Sequence, residues 1–198
     1  MTRLVLASKS AARAAMLRQA GLAVDLTPAD IDERALDEAL AREGRDPAAI
    51  ARALGEAKAL AVSRAHPEAV VIGADQTLAL GPRRFSKPVD LQAARANLLA
   101  LRGRTHHLHS GVALARGGTI LFSAVASAAM TMRPFSDAFL DAYLAGAGER
   151  LLSSVGCYQL EAEGIQLFER IEGDYFTILG MPLLPLLAAL RTLGIAAT

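Results

Sequence analysis

Ser8, Lys9, Ser10 and Arg13 follow directly on the apolar run 4–7, where a plain turn would be enough to end a buried strand. Hydroxyls and cations at that spacing predict a helix cap or an anion site, because the unpaired N–H groups of a helix start favour negative charge. Asp75 interrupts 69–80, an otherwise apolar and β-branched segment in which an unpaired charge is costly to bury. Such an Asp is either satisfied by backbone amides or an arginine, or it is a metal ligand or general base facing a cleft. Gly73, two residues earlier, lets a ligand or another backbone come close. Lys87 stands in a loop before Pro88, and Lys58 stands mid-helix near Glu56; both read locally as solvated charges. The acidic run 30–33, which contains Glu33, reads as helix-cap acidity. His107 and His109 share a strand face, but no carboxylate or cysteine stands at the spacing a histidine metal site needs. Neither a G-x-x-x-x-G-K-[ST] loop nor a strand-following G-x-G-x-x-G occurs.

The elements that must carry these residues are legible from propensity and punctuation. Residues 4–7 predict a strand, and Ser10 predicts the cap of a helix over 11–20 that Gly21 ends. The segment 30–44 predicts an acidic-capped helix stopped by Gly44. Asp46 and Pro47 open a second helix that runs to about Ala65. Residues 69–80 predict a central strand buried on both faces, 81–90 a loop, and Asp90 the cap of a helix over 91–103. Gly117-Gly118 predicts the turn of a hairpin. Ser136 caps a short helix to about Ala145, and residues 148–180 read as irregular, with a strand-like stretch at 165–171. Pro182 starts a last helix, apolar at Leu183, Leu186, Leu187 and Leu190. The order points to an α/β fold with a mixed β-sheet and flanking helices, and no linker divides residues 1–198 into independent domains.

Composition narrows the function classes. Hydrophobic residues make up 53% and charged residues 21%, which fits a folded enzyme and excludes a disordered chain. With 21 basic and 20 acidic residues the formal charge is +1, so any anion site is local, and a general nucleic-acid or membrane-surface binder is not expected. The lone Cys157 excludes an intrachain disulfide and a thiolate zinc site. The run 4–7 is too short for a signal-peptide core, and the apolar C-terminal run is broken by Pro185 and Arg191. A cytoplasmic protein is expected.

The segments LASKSAAR, DIDE, EAKA, IGADQTL, SKP, LRGRTHHLHSGVAL and the long run from VGCYQLEAEG to GMPLLPLL occur here in order. Together they resemble the Maf family of nucleoside triphosphate pyrophosphatases, over nearly the whole chain. The resemblance implies an α/β fold with an elongated mixed sheet, two lobes around a central cleft, and commonly a dimer. It implies hydrolysis of a nucleoside triphosphate to the monophosphate and diphosphate with a divalent metal, Mg²⁺ or Mn²⁺. On matching positions Asp75 is the general base and shares the metal with Glu33, with Lys58 and Lys87 also in the catalytic set. Ser8, Ser10, Arg13, Lys58 and Lys87 surround the triphosphate. Positioning and charge neutralisation dominate such cleavage, which is what these residue types supply.

Three positions depart from the common family pattern. Ala12 stands where a second arginine is usual. Gln76 follows Asp75 where members acting on dTTP and UTP have Thr, and Glu161 stands where those members have Gln. Gln76 and Glu161 lean toward the branch acting on 7-methyl-GTP, because a Glu can accept hydrogen bonds from a guanine edge; that branch, however, usually has SDQ where ADQ stands here. The alternatives are a dTTP/UTP pyrophosphatase, and a catalytically silent nucleotide-binding regulator of cell division suggested by Ala12.

Overall fold

Two parallel strands with alternating side chains organise the start of the chain. In the computed structural model, which describes residues 2–196, β1 (Leu4–Leu6) runs beside β3 (Val70–Leu80), Leu4 opposite Val70 and Leu6 opposite Ile72. Successive strand residues point to opposite faces. Leu4, Leu6, Val70, Ile72 and Ala74 therefore enter one core with Met16, Leu17, Leu186 and Leu190. Val5, Ala7 and Val71 enter a second with Ala59 and Val62. Burial on both faces is why 69–80 reads as an almost unbroken apolar run. The exposed two-residue β2 (Asp25–Leu26) pairs with β1 and has no periodicity that could announce it.

Helix starts follow their caps. Ser10 Oγ accepts the Arg13 N–H at the head of α1 (Ala11–Gln19). Asp32 caps α2 (Glu33–Arg42), and Asp46, with Pro47 behind it, caps α3 (Pro47–Ala65). After β3 the chain departs from the expected loop over 81–90. Gly81, at a φ of 57° that favours glycine, turns it into β4 (Arg83–Phe85), antiparallel to β3 with Leu78 opposite Phe85. Asp90 then caps α4 (Leu91–Leu101). The Gly117-Gly118 turn, both residues at positive φ, joins β5 (Thr105–Arg116) to β6 (Thr119–Met132).

Ser136 caps α5 (Asp137–Ala147). The strand expected over 165–171 is half right: Glu163–Leu167 is a 3₁₀ turn, and only β7 (Phe168–Glu172) pairs, with β6. A single turn, α6 (Tyr175–Ile178) capped by Asp174, breaks the segment read as irregular, before α7 (Leu183–Thr192). The mixed seven-stranded sheet has the order β2-β1-β3-β5-β6-β7, with β4 on β3. The chain forms two compact units. The first holds the chain up to Gln76, His109–Ser127 and everything from Asp174; the second holds Thr77–Leu108 and Ala128–Gly173.

Candidate active site

In the first unit one lysine binds two carboxylates. Lys58 Nζ lies 2.6 Å from Asp75 Oδ1 and 2.8 Å from Glu33 Oε2. Its side chain is 6% exposed, against 15% for Asp75 and 52% for Glu33, so the site opens toward Glu33. The solvated-lysine reading of position 58 therefore fails: this ammonium is buried and answers the charge that interrupts β3. Asp75 is satisfied by a lysine, not by the backbone amides or arginine the sequence suggested. Close packing makes the contact possible. A Cβ on Gly73 would stand 2.1 Å from the Gly55 carbonyl oxygen, and one on Gly111 would stand 2.3 Å from that of Ala51. Gly73 thus admits the backbone of α3, and the helix bearing Lys58 sits against β3 and β5.

The anion-binding candidates stand in the same unit. Arg13 is half-buried; its Nε donates to the Gly180 carbonyl at 2.9 Å and its Nη1 to Ser8 Oγ at 3.4 Å. Burial pulls the Arg13 guanidinium below its ordinary pKa, and the nearby charges of Asp75 and Glu33 oppose that shift. Arg13 therefore lies within the field of the carboxylate pair. Ser8 is buried and its hydroxyl also accepts the Ser10 N–H at 3.1 Å. Ser10 keeps its hydroxyl on the helix cap. Ala12 is half-buried and brings no cation.

Gln76, expected at the substrate, turns its amide nitrogen to Ser110 Oγ and to the carbonyls of Thr177 and Ile178. Lys87 and Glu161 belong to the second unit, and both are exposed. Lys87 borders a cleft of about 260 Å³ with Arg83, Phe85 and Asn97, in which the Arg83 guanidinium lies 4.4 Å from the centre of the Phe85 ring. The sequence reading missed Ser110, Asp174, Thr177 and Gly180. Only Asp174 and Gly180 carried a signal, as a helix cap and a glycine just past a helix.

Two carboxylates converging on one cationic point form a hard oxygen donor pair. No group of three His, Cys, Asp or Glu side chains placed for a metal occurs among the described residues, so an all-protein cage is absent there. Mg²⁺ needs less than a cage: it takes one or two carboxylates and completes its shell with waters and substrate phosphates. Glu33 and Asp75 fit that demand. His107 and His109 do not take part in any such group, and His109 Nδ1 meets Ser127 Oγ at 2.7 Å.

A family model described as Maf-like protein matches residues 3–193. A protein of Mesorhizobium japonicum named 7-methyl-GTP pyrophosphatase is 55% identical over 192 residues, covering 97% of this chain and 96% of that protein. One of the same name from Rhizobium meliloti is 54% identical, with 96% of each covered. A protein of Granulibacter bethesdensis named nucleoside triphosphate pyrophosphatase is 52% identical, with 96% of each covered.

Proposed function

This chain belongs to the family of Maf-like proteins, and from that premise we propose that it is a nucleoside triphosphate pyrophosphatase that prefers 7-methyl-GTP. It cleaves the triphosphate to the monophosphate and diphosphate. The observation that carries the chemistry is the ammonium of Lys58 bound to both Asp75 and Glu33. The base preference is supported by the names of relatives at 54–55% identity and by the acceptor chemistry of Glu161.

In this reading Arg13, with Ser8 beside it, binds phosphate oxygens. Asp75 takes the proton of the attacking water, and Lys58 holds the Asp75 carboxylate in one orientation. Glu33 and Asp75 would hold a divalent cation, Mg²⁺ or Mn²⁺, which when bound neutralises phosphate oxygens and polarises water. Lys87 supplies a further cation for the triphosphate, and Glu161 accepts from the guanine edge. The enzyme acts in the cytoplasm on free nucleotides, as a homodimer that engages neither nucleic acid nor membrane. No described helix is long and apolar enough to cross a membrane.

The test is diphosphate release from 7-methyl-GTP, GTP, CTP, dTTP and UTP with Mg²⁺ or Mn²⁺. Asp75→Asn is expected to lower kcat by about 10²–10⁴-fold, the usual range for losing a general base. Full activity in that variant removes Asp75 from the mechanism, and a preference for dTTP or UTP overturns the base assignment. Tight binding with negligible turnover of every nucleotide would instead favour the silent regulator suggested by Ala12.

A further inference from the structure

Gln76 follows Asp75 in β3, so its side chain points to the other face of the sheet. There Nε2 lies 3.0 Å from Ser110 Oγ, 3.1 Å from the Thr177 carbonyl and 3.0 Å from the Ile178 carbonyl. Carbonyls only accept, and the Ser110 hydroxyl already donates its proton to the Thr177 carbonyl at 2.7 Å. The amide's NH₂ end must therefore face these oxygens, so its orientation follows from its partners. The Ile178 and Thr177 carbonyls belong to the C-terminal end of α6, where a helix leaves its last acceptors unpaired. Gln76 caps them from another element.

That cap leads to the phosphate side. The Thr177 carbonyl also accepts the Gly180 N–H at 3.1 Å, and the Gly180 carbonyl accepts Arg13 Nε at 2.9 Å. Gly180 has φ of +106°, which favours glycine, and a Cβ there would lie 3.4 Å from Arg13 Nη2. At the other end of α6 the Thr177 N–H and hydroxyl both bind the Asp174 carboxylate. The Thr177 carbonyl keeps the Ser110 and Gly180 donors without Gln76, but Ile178 is buried and Gln76 is the donor shown on its carbonyl, so that oxygen loses its partner with little water to replace it.

We infer that Gln76 is a positioning residue that holds the 174–180 turn in the shape that aims Arg13 at phosphate, and that it does not read the base. The inference rests on the reading in which Arg13 binds the triphosphate. Its probe is inorganic tripolyphosphate, which has no base, titrated calorimetrically into the full-length protein with Mg²⁺. Gln76→Glu keeps the size but sets a carboxylate against two carbonyls. The expected result is tripolyphosphate binding weakened about tenfold, and kcat/KM lowered by one common factor on 7-methyl-GTP, GTP and dTTP. In an Arg13→Ala background the same change should have little further effect on binding. Ser110→Ala, a milder cut in the same network, should give the same pattern at smaller amplitude and covers the case in which Gln76→Glu fails to fold. Unchanged tripolyphosphate binding, a shifted ratio between bases, or equal losses in both backgrounds overturns the inference. Failure of the phosphate reading shows separately: Arg13→Ala alone would then leave tripolyphosphate binding intact, and both claims fall.

Discussion

The Lys58 ammonium has two partners of unequal burial, and that inequality sets what each is worth. Lys58→Met leaves two carboxylates facing each other in a site where one is nearly buried, so stability should fall by about 2–4 kcal/mol. Glu33→Gln removes only the half-exposed partner and should cost less than about 1 kcal/mol. Urea unfolding of both variants checks this ordering, and equal costs would contradict it. His106 is a second residue whose surroundings dictate behaviour. It is fully buried, its Nε2 lies 2.8 Å from the Tyr158 hydroxyl, and its Nδ1 has no hydrogen-bond partner among the described residues. Burial first, then the charge of His107, pulls its pKa from 6.5 to about 4. In the unfolded chain it binds a proton near pH 6.5, whereas in the folded chain it does so only near 4. Its contribution is thus complete above pH 6.5 and is lost as pH falls toward 4, by up to about 3 kcal/mol. The urea midpoint of wild type should drop through that window more steeply than that of His106→Gln.

At the scale of elements, the site depends on how near α3 comes to the sheet. Gly73 and Gly111 leave room for carbonyls of α3 itself, and backbone cannot rotate away as a side-chain tip can. Gly73→Ala must push α3 off β3, which carries Lys58 away from Asp75. The expected cost is about 3 kcal/mol or more, at or above the usual range for overpacking, with activity lost at temperatures where the protein is still folded. Gly21→Ala, where none of the described residues comes within 4 Å of the added Cβ but φ is +79°, tests backbone strain alone and should cost about 1 kcal/mol while leaving activity intact. Thermal melts and diphosphate release together separate the two effects.

At the scale of the whole molecule, neither compact unit is one stretch of chain. The first needs three segments and the second two, and β3, β5 and β6 each contribute residues to both. A single folding domain is the proposal this threading supports. Ending the chain after Gly173 removes Met181, Leu183, Leu186 and Leu190 from the core that β1 and β3 share, and Gly180 from Arg13. The truncated chain should keep helical circular dichroism at most, bind ANS and lack a cooperative melt. A cooperative native-like transition would contradict the proposal.

The features legible in the chain alone are local ones. Ser10, Asp46, Asp90 and Ser136 each cap the helix they introduce, because a cap acts within three residues of itself, whereas the helix expected over 30–44 starts only at Glu33, behind Asp32. The buried strand at 69–80 and the Gly117-Gly118 hairpin were legible for the same reason, since an unbroken apolar run and a glycine turn are written in neighbouring residues. Asp75 stood out because a charge in an apolar run demands a partner, but its partner was not legible: Lys58 is 17 positions away on a helix and carries no local mark of burial. The role of Gln76 was further out of reach, since its three acceptors come from residues 110, 177 and 178. The short pieces β2, β4 and α6 escaped too, because two to four residues carry no period of their own. Tertiary structure decided those matters: it alone brings distant chain segments within the 3 Å over which ammonium, amide and carboxylate act on one another.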